Sequence, residues 1–594
     1  MKRDEILETK WTRYYGEEVF TPQIDTSKTL YGAFRDAAQK YSGRIAYEYF
    51  GNKITYERML TFVDDCASRL KLQGVSCGDT VLMSCSGTPY QAILFYAVNK
   101  IGAKSVYIPA DMSRSEFAKS ANELGVKITL LSVDAFMRYR EVISKTDIGK
   151  IILGKYGDYI SFTERFRSCV MKLIPLDRIN IEAQRNELKK DIIFWSDIPE
   201  PEGVSVEPFE DAEEVSVYFL CGSAAGSANV VSMSSRAMNE EAGISGFLYG
   251  RDPVRIYSFI SQSFSLGLSF GLHTALMCGH TVLLYHQTPG VIPHSALNYY
   301  SPDVLLGYPR MITSLVENRK VNLSVFRGIK KIFSGGTVML GGDYHKIVDY
   351  FRRRSMDPEI IRIYGFTETA SVCMYKPTFI KNERTVGIPL PGVRIKVLNP
   401  ENLAEQPYDV SGMIAINTPA AMTGYEDSQA NTELVMRRMR DDSLWIMSGD
   451  LGFVDEQGLF YYNGSRRIFD KGGMPVYPQL IENEIMMVRG VENCCAVPVV
   501  RGNDTIIKVA IQPEQEFLFD NDRLNALKDE VEDICRLELT ESMLPDEYEF
   551  MAYLPIGSFG KVDYEKVLEI FKEEENEQKD PDYIGDDISS RDDV

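Results

Sequence analysis

Tyr364-Gly365-Phe366-Thr367-Glu368 follows an apolar-alternating run, Ile360-Ile361-Arg362-Ile363, whose pattern predicts a short buried strand. A glycine at the tip of a strand lets the backbone turn and approach a ligand closely. An aromatic ring, a hydroxyl and a carboxylate grouped at such a tip can stack on a base, donate to a phosphate and hold Mg²⁺. Upstream, Ser334-Gly335-Gly336 ends a second apolar run, Ile329 to Phe333. Two glycine-tipped strands close in sequence point to one cleft at the carboxyl ends of a sheet, where open α/β folds bind ligands. On its own the pentapeptide reads equally well as a strand-to-loop turn with Thr367 as a helix N-cap. Its surroundings decide.

The chain of 594 residues is long enough for several domains with large cores. Hydrophobic residues at 44% and charged residues at 25% are ordinary for a globular protein. A net charge of −20 argues against nucleic acid, and against an anionic membrane surface, as the main partner. Part of that charge is local: 572–594 is rich in Glu and Asp, with few large apolar residues, and reads as an acidic disordered tail. The ten cysteines are scattered without a CxxC pair, and the histidines lack metal-ligand spacing. The charged start Met1-Lys2-Arg3-Asp4-Glu5 has no apolar stretch behind it that would mark a secretory signal. No apolar run approaches the roughly 18 to 20 residues that cross a bilayer. A cytoplasmic protein with free thiols and no integral membrane segment is expected.

Trp11, Tyr14 and Tyr15 make 1–27 an N-terminal arm lying on the main body. Beyond it, helical spacing at Leu30–Tyr41, Tyr56–Leu72 and Gln91–Gly102 alternates with strand-like runs at Ile45–Phe50, Lys53–Tyr56, Gly78–Ser84 and Ser105–Pro109. Such alternation predicts βαβ units and a parallel sheet. The pattern lapses over 153–210, which ends in Ile198-Pro199-Glu200-Pro201-Glu202 and reads as a linker or surface excursion. The sheet resumes at Val215–Leu220, and 385–425 switches to short strands with Gly and Pro punctuation, a β-rich subdomain. A boundary near Asn463 to Arg467 leaves 28–464 as one large body and 465–571 as a small α+β domain. The expected fold class is α/β: mixed or parallel sheets with flanking helices, then the small domain.

Three further stretches bear on chemistry. Leu220-Cys221-Gly222-Ser223-Ala224-Ala225-Gly226-Ser227-Ala228-Asn229 is a strand followed by a small-residue loop, whose N–H groups can converge on an anion. The Walker spacing is absent, and no lysine or arginine lies inside the loop. In Ser448-Gly449-Asp450-Leu451-Gly452 the carboxylate can accept both hydroxyls of a ribose, or simply cap its own turn. Gly560-Lys561-Val562-Asp563 offers a glycine-flanked lysine for a negatively charged transition state, or a solvated turn. Gly267-Leu268-Ser269-Phe270-Gly271 matches the G-x-S-x-G nucleophile elbow. An elbow needs a strand before the serine, and the spacing here is helical, so a hydrolase is disfavoured.

Taken in order, these segments resemble the adenylate-forming superfamily of acyl- and aryl-CoA synthetases, nonribosomal peptide synthetase adenylation domains and luciferase. The resemblance runs from Leu30 to Phe571. It rests on Ser334-Gly335-Gly336, the Tyr364–Glu368 stretch, Val386-Gly387-Ile388-Pro389-Leu390-Pro391-Gly392, Gly424-Tyr425, Ser448 to Gly452 with Asp455 and Gly458, and Gly560 to Asp563. The family joins a carboxylate to the α-phosphate of ATP, then transfers the acyl group. The resemblance implies that Tyr364 packs on adenine, Thr367 bonds phosphate, Glu368 holds Mg²⁺ and Asp450 takes the ribose. Ser223 and Gly226 would serve the phosphate loop, with Ser334, Gly335, Gly336 and Gly365 lining the nucleotide site. Lys561 would bridge carboxylate and phosphate from a mobile C-terminal domain that rotates between half-reactions. Substrate contacts fall on Phe264, Gly267, Tyr308 and Phe366.

The departures from the family are specific. Ala224 and Ala225 stand where hydroxyl residues are usual, and Ala228 and Asn229 replace proline and lysine. Charge-assisted phosphate contacts contribute about 1.5–3 kcal/mol each, so weaker ATP handling follows, with Ser223 and Ser227 as partial substitutes. Ser465 occupies the place of a ribose-contacting arginine, a role open to Arg466 or Arg467. Phe264 replaces a gate histidine, which suits an uncharged, aliphatic acyl group. The expected activity is an ATP- and Mg²⁺-dependent ligase passing a small-molecule carboxylic acid to coenzyme A or to the phosphopantetheine arm of a carrier protein in trans. The alternative is a catalytically degenerate relative that binds nucleotide, acyl-adenylate or a partner as a scaffold.

Overall fold

The alternation after Leu30 builds the helix Leu30–Lys40, the strand pair Ile45–Tyr49 and Asn52–Thr55, and the helix Tyr56–Leu72. Each helix begins on a threonine: Thr29 accepts from the Gly32 N–H and Thr55 from the Arg58 N–H. That satisfies an N–H with no partner inside the helix. The helix Pro89–Ile101 is buried on every side, and Gly102 closes it in the left-handed region at φ 80°.

This computed structural model describes residues 10–16, 24–85, 87–109, 112–160, 179–222, 228–285, 294–337, 339, 341–400, 402–465, 469–471, 474–476, 478–501, 504–518, 520–540, 543–556 and 562–579. The chain divides into two units, Met1–Tyr462 and Asn463–Val594. No described helix is long and apolar enough to cross a membrane.

Two large sheets organise the first unit. The eight-stranded sheet runs Gly424–Tyr425, Ala228–Ser234, Val215–Gly222, Lys104–Tyr107, Thr80–Ser84, Ile128–Ser132, Lys150–Gly154 and Asp191–Phe194. Ala228–Ser234 pairs antiparallel with both of its neighbours, and every other pairing in the sheet is parallel. The second sheet is parallel from Ile45–Tyr49 across Thr281–Leu284, Arg255–Ser258, Val304–Gly307 and Lys331–Ser334 to Glu359–Tyr364. Beyond Glu359–Tyr364 it turns antiparallel, starting with Met374–Lys376 and Thr385–Pro389. The reversal occurs at the Tyr364–Glu368 stretch, so parallel core and β-rich part meet there. Ahead of these sheets, Trp11 is buried edge-on against Phe460 at 5.6 Å, and Tyr15 donates to the Pro389 carbonyl.

The segment 153–210, expected as an excursion, is in part built into the sheet. Asp191–Phe194 pairs in parallel with Lys150–Gly154, and Ile192, Trp195 and Ile198 are buried. A four-residue strand is too short to show its period, and the polar helix before it, Ile181–Leu188, has no buried residue to announce it.

In the second unit Val491–Arg501 and Asp504–Pro513 form a hairpin, with Glu547–Phe550 parallel to the latter. Helices Pro478–Ile485 and Asn521–Glu538 supply Ile481, Leu527 and Val531 to a core with Val509 and Ile511.

Candidate active site

The strand tips Gly307, Ser334 and Tyr364 stand side by side, because Gly307 is in register with Ser334, and Ser334 with Arg362. The glycines between them are obligatory. A Cβ on Gly335 would lie 2.5 Å from Ile363 Cγ1, and one on Gly336, at φ +79°, 2.6 Å from the Tyr308 ring. A Cβ on Gly365 would lie 1.8 Å from the Ser371 carbonyl oxygen, a contact that no side chain tolerates. The backbone therefore folds onto itself immediately after Tyr364. The Cys373 N–H returns to the Tyr364 carbonyl at 2.9 Å and closes the loop.

Inside this loop Thr367–Thr369 is a single 3₁₀ turn. Thr369, not Thr367, bonds its backbone, donating to the Phe366 carbonyl at 2.9 Å. Thr367 instead accepts from the Ser265 hydroxyl at 3.2 Å. That bond joins the loop to the segment carrying Phe264 and Gly267. Gly267 is tight: its Cβ would lie 2.1 Å from the Ser261 carbonyl oxygen. The segment continues as a buried π-helix, Leu266–Thr274, a rare form often found at functional sites. Ser269 lies within it and is buried, so the G-x-S-x-G match is no strand-to-helix elbow. Phe264, Leu266, Tyr308, Tyr364 and Phe366 are all partly buried aromatic or aliphatic groups on the same core.

Two hydrogen bonds set the electrostatics. Tyr364 donates to Asp450 Oδ2 at 2.6 Å, and Tyr425 donates to Glu368 Oε1 at 2.6 Å. Burial, and then the Asp450 charge, hold the Tyr364 phenol well above its usual range, so it stays a donor. Burial likewise pushes the Glu368 carboxyl up, against the Tyr425 bond that pulls it down. Ser448 caps this turn, accepting the Asp450 N–H at 3.0 Å beside Gly449 at φ 73°. Asp450 is thereby aimed across the sheet. An ionised carboxylate has about four lone-pair sites, of which the Tyr364 hydroxyl takes one.

The loop read as a phosphate nest joins the antiparallel strands Val215–Gly222 and Ala228–Ser234. Asn229 lies in the second strand opposite Cys221, so the turn is shorter than the sequence suggests. Gly424–Tyr425 pairs with that same strand, Tyr425 opposite Val231, which ties the glutamate's partner to the loop. Ser223, Gly226, Arg466, Arg467 and Lys561 lie outside the described residues. Ile556 and Val562, flanking Lys561, form an isolated antiparallel bridge.

The structure thus brings Ser334, Gly335, Gly336, Tyr308, Phe264, Gly267, Tyr364, Gly365, Phe366, Thr367, Glu368 and Asp450 into one region of the first unit. Sequence reasoning gave Ser265 and Tyr425 no role of their own. The signal for Ser265 was its place between the expected substrate contacts Phe264 and Gly267. Tyr425 carried one, its glycine-preceded place in an ordered motif.

Residues 34–426 match the family model described as AMP-binding enzyme. A long-chain-fatty-acid–CoA ligase of Bacillus subtilis (strain 168) is 20% identical over 569 residues, which cover 94% of this chain and 97% of that protein. Among solved structures, the anthranilate CoA ligase AuaEII in complex with anthranoyl-AMP superimposes with a TM-score of 0.74 at 15% identity, covering 91% of this chain and 97% of that one. A benzoate CoA ligase from Burkholderia xenovorans LB400 gives 0.72 at 17% identity, covering 91% and 99%. At such identities the structural likeness speaks for the fold.

Proposed function

The chain belongs to the AMP-binding enzyme family, and we propose that it is an AMP-forming acid–thiol ligase. It joins a carboxylic acid to the α-phosphate of ATP, releases pyrophosphate and passes the acyl group to coenzyme A. The observation that carries this reading is the meeting of Tyr364, Thr367, Glu368 and Asp450 around one strand tip, with Tyr364 bonded to Asp450 and Tyr425 to Glu368. In this reading Asp450 accepts the ribose hydroxyls and Tyr364, held against it, packs on the base. Thr367 donates to phosphate.

Glu368 fits a magnesium site. Among the described residues no three His, Cys, Asp or Glu side chains gather as a metal cage. A single carboxylate beside substrate phosphates is the donor set that Mg²⁺ takes, keeping the rest of its shell for water and phosphate. When bound, Mg²⁺ neutralises charge on the triphosphate. Glu368 would hold it, the Tyr425 hydroxyl opposes the upward push of burial on that carboxyl, and Lys561 would supply a positive charge to the oxygens of the reacting carboxylate. The gain comes from positioning and electrostatic stabilisation.

The apolar groups Phe264, Leu266, Tyr308 and Phe366 favour an uncharged, apolar acid. The Bacillus relative named as a long-chain-fatty-acid–CoA ligase supports such an acid, and CoA over a carrier protein as acceptor. Eight of the ten cysteines are free thiols, which suits a reducing cytoplasm.

Pyrophosphate exchange with a panel of carboxylic acids tests the proposal. Mg²⁺-dependent exchange with at least one acid is expected, and Lys561→Ala should lower it by roughly a hundredfold or more. Nucleotide binding without exchange for any acid would favour a non-catalytic scaffold.

A further inference from the structure

We infer that Glu241 is a positioning residue for the loop carrying Thr367 and Glu368, acting through Ser371 and Val372. The inference rests on the ligase reading for the meaning of that loop, and its geometry stands apart. Glu241 lies on the helix Ser235–Ser245 and is fully buried. Its Oε1 accepts the Ser371 hydroxyl at 2.8 Å and the Val372 N–H at 3.1 Å. Ser371 is the residue whose carbonyl presses on Gly365. A shift of Ser371 therefore moves the backbone between Tyr364 and Phe366.

The intervening residue, Ala370, holds φ at +59°, a region that side chains other than glycine rarely adopt. Strained backbone persists only where its surroundings over-determine it. Here the Ala370 N–H bonds the Thr367 carbonyl at 3.0 Å on one side, and Glu241 grips Ser371 and Val372 on the other.

A packing role does not account for this glutamate. Its Oε2 is buried with no hydrogen-bond partner among the described residues. Orphaned buried oxygens are rare in native proteins, and this one carries a desolvation cost that no bond of its own offsets. Burial pushes the carboxyl up to about 8, so near neutrality the group is a neutral acid. What the carboxyl supplies, and leucine cannot, is the acceptor for Ser371 and Val372. Glutamine supplies it too.

Three variants of the full chain test this: Glu241→Leu, Glu241→Gln and Ser371→Ala, each assayed for pyrophosphate exchange, Mg·ATP affinity by calorimetry and thermal stability. Glu241→Leu should still fold, with a melting temperature lowered because the Ser371 hydroxyl and the Val372 N–H lose their acceptor, and should lose exchange by about ten- to hundredfold, mostly in kcat, because small displacements of catalytic groups cost that much. Glu241→Gln should recover exchange to within about threefold of the parent, since its amide oxygen restores the acceptor. Ser371→Ala should fall between them, and it decides the matter if the leucine variant does not fold. Parental exchange in Ser371→Ala, or leucine and glutamine variants that behave alike, overturns the inference. If the parent exchanges with no acid, the ligase reading fails instead. Mg·ATP affinity then carries the test, weakened in Glu241→Leu and kept in Glu241→Gln.

Discussion

Tyr425→Phe removes one oxygen and should raise the Mg²⁺ requirement of the enzyme. The hydroxyl sits 2.6 Å from Glu368 Oε1, the length of a bond from a neutral donor to an ionised oxygen. Such bonds contribute about 1.5–3 kcal/mol, and 1.4 kcal/mol is a factor of ten, so the full loss is roughly ten- to a hundredfold. Protonation offers Glu368 an alternative, because burial already raises its pKa and the lost bond raises it further. That escape caps the effect near the lower end. The sign with pH follows. A carboxyl with a raised pKa holds a cation only above that pKa, so exchange falls as pH drops through it. The variant should lose exchange at higher pH than the parent does. The backbone of residue 425 is fixed independently, by pairing with Val231 and by the N–H bond to Thr432 at 2.8 Å, and the side chain is buried in the core, so the fold survives the change. The assay is exchange rate against free Mg²⁺ at several pH values. An unchanged half-saturating Mg²⁺ concentration and an unmoved acid limb would refute the assignment of Tyr425 and Glu368 to the metal.

Gly365→Ala places a methyl 1.8 Å from the Ser371 carbonyl oxygen, so the backbone must give. Overpacking of this kind costs about 1–3 kcal/mol, and exchange should drop at least about tenfold while circular dichroism stays native. Asn229→Lys restores a cation at the end of the phosphate loop and should lower the KM for ATP by about tenfold; an unchanged KM would give that loop another role.

The strands that carry the site were legible because their glycines and apolar alternation are local signals. Glu359–Tyr364 and Lys331–Ser334 stand where the runs Ile360–Ile363 and Ile329–Phe333 predict them. The strand Asp191–Phe194 was not legible, since four residues beside polar neighbours carry no period. Partnerships across the chain were hidden for another reason. Tyr425 and Glu368 are 57 residues apart, and Tyr364 and Asp450 are 86 apart. Periodicity cannot say which hydroxyl meets which carboxylate. Only the ordered motif series suggested that Tyr364 and Asp450 share a ligand. Ser265 and Glu241 belong to no such series, and their roles come from tertiary geometry alone.

Four of the departures from the family, Ala224, Ala225, Ala228 and Asn229, fall on one loop, and its anchoring decides what they change. That loop ends in a strand, Ala228–Ser234, that is paired on both sides, with Val215–Gly222 and with Gly424–Tyr425. Alanines at 224 and 225 and asparagine at 229 therefore remove donors and one positive charge while the strands that fix the loop's ends stay in place. Contacts to phosphates distant from the bond being made act alike on ground state and transition state, so their loss appears in KM for ATP and leaves kcat largely intact. Groups on the Thr367–Glu368 loop, which is held by Gly365, Ser265 and Tyr425, behave differently. On the proposed function, with the loop lysine gone, the charge developing at the α-phosphate would fall to Lys561 and to a cation held by Glu368. Defects there should fall on kcat, and an enzyme built this way tolerates erosion of the phosphate loop only while the Thr367–Glu368 loop stays rigid.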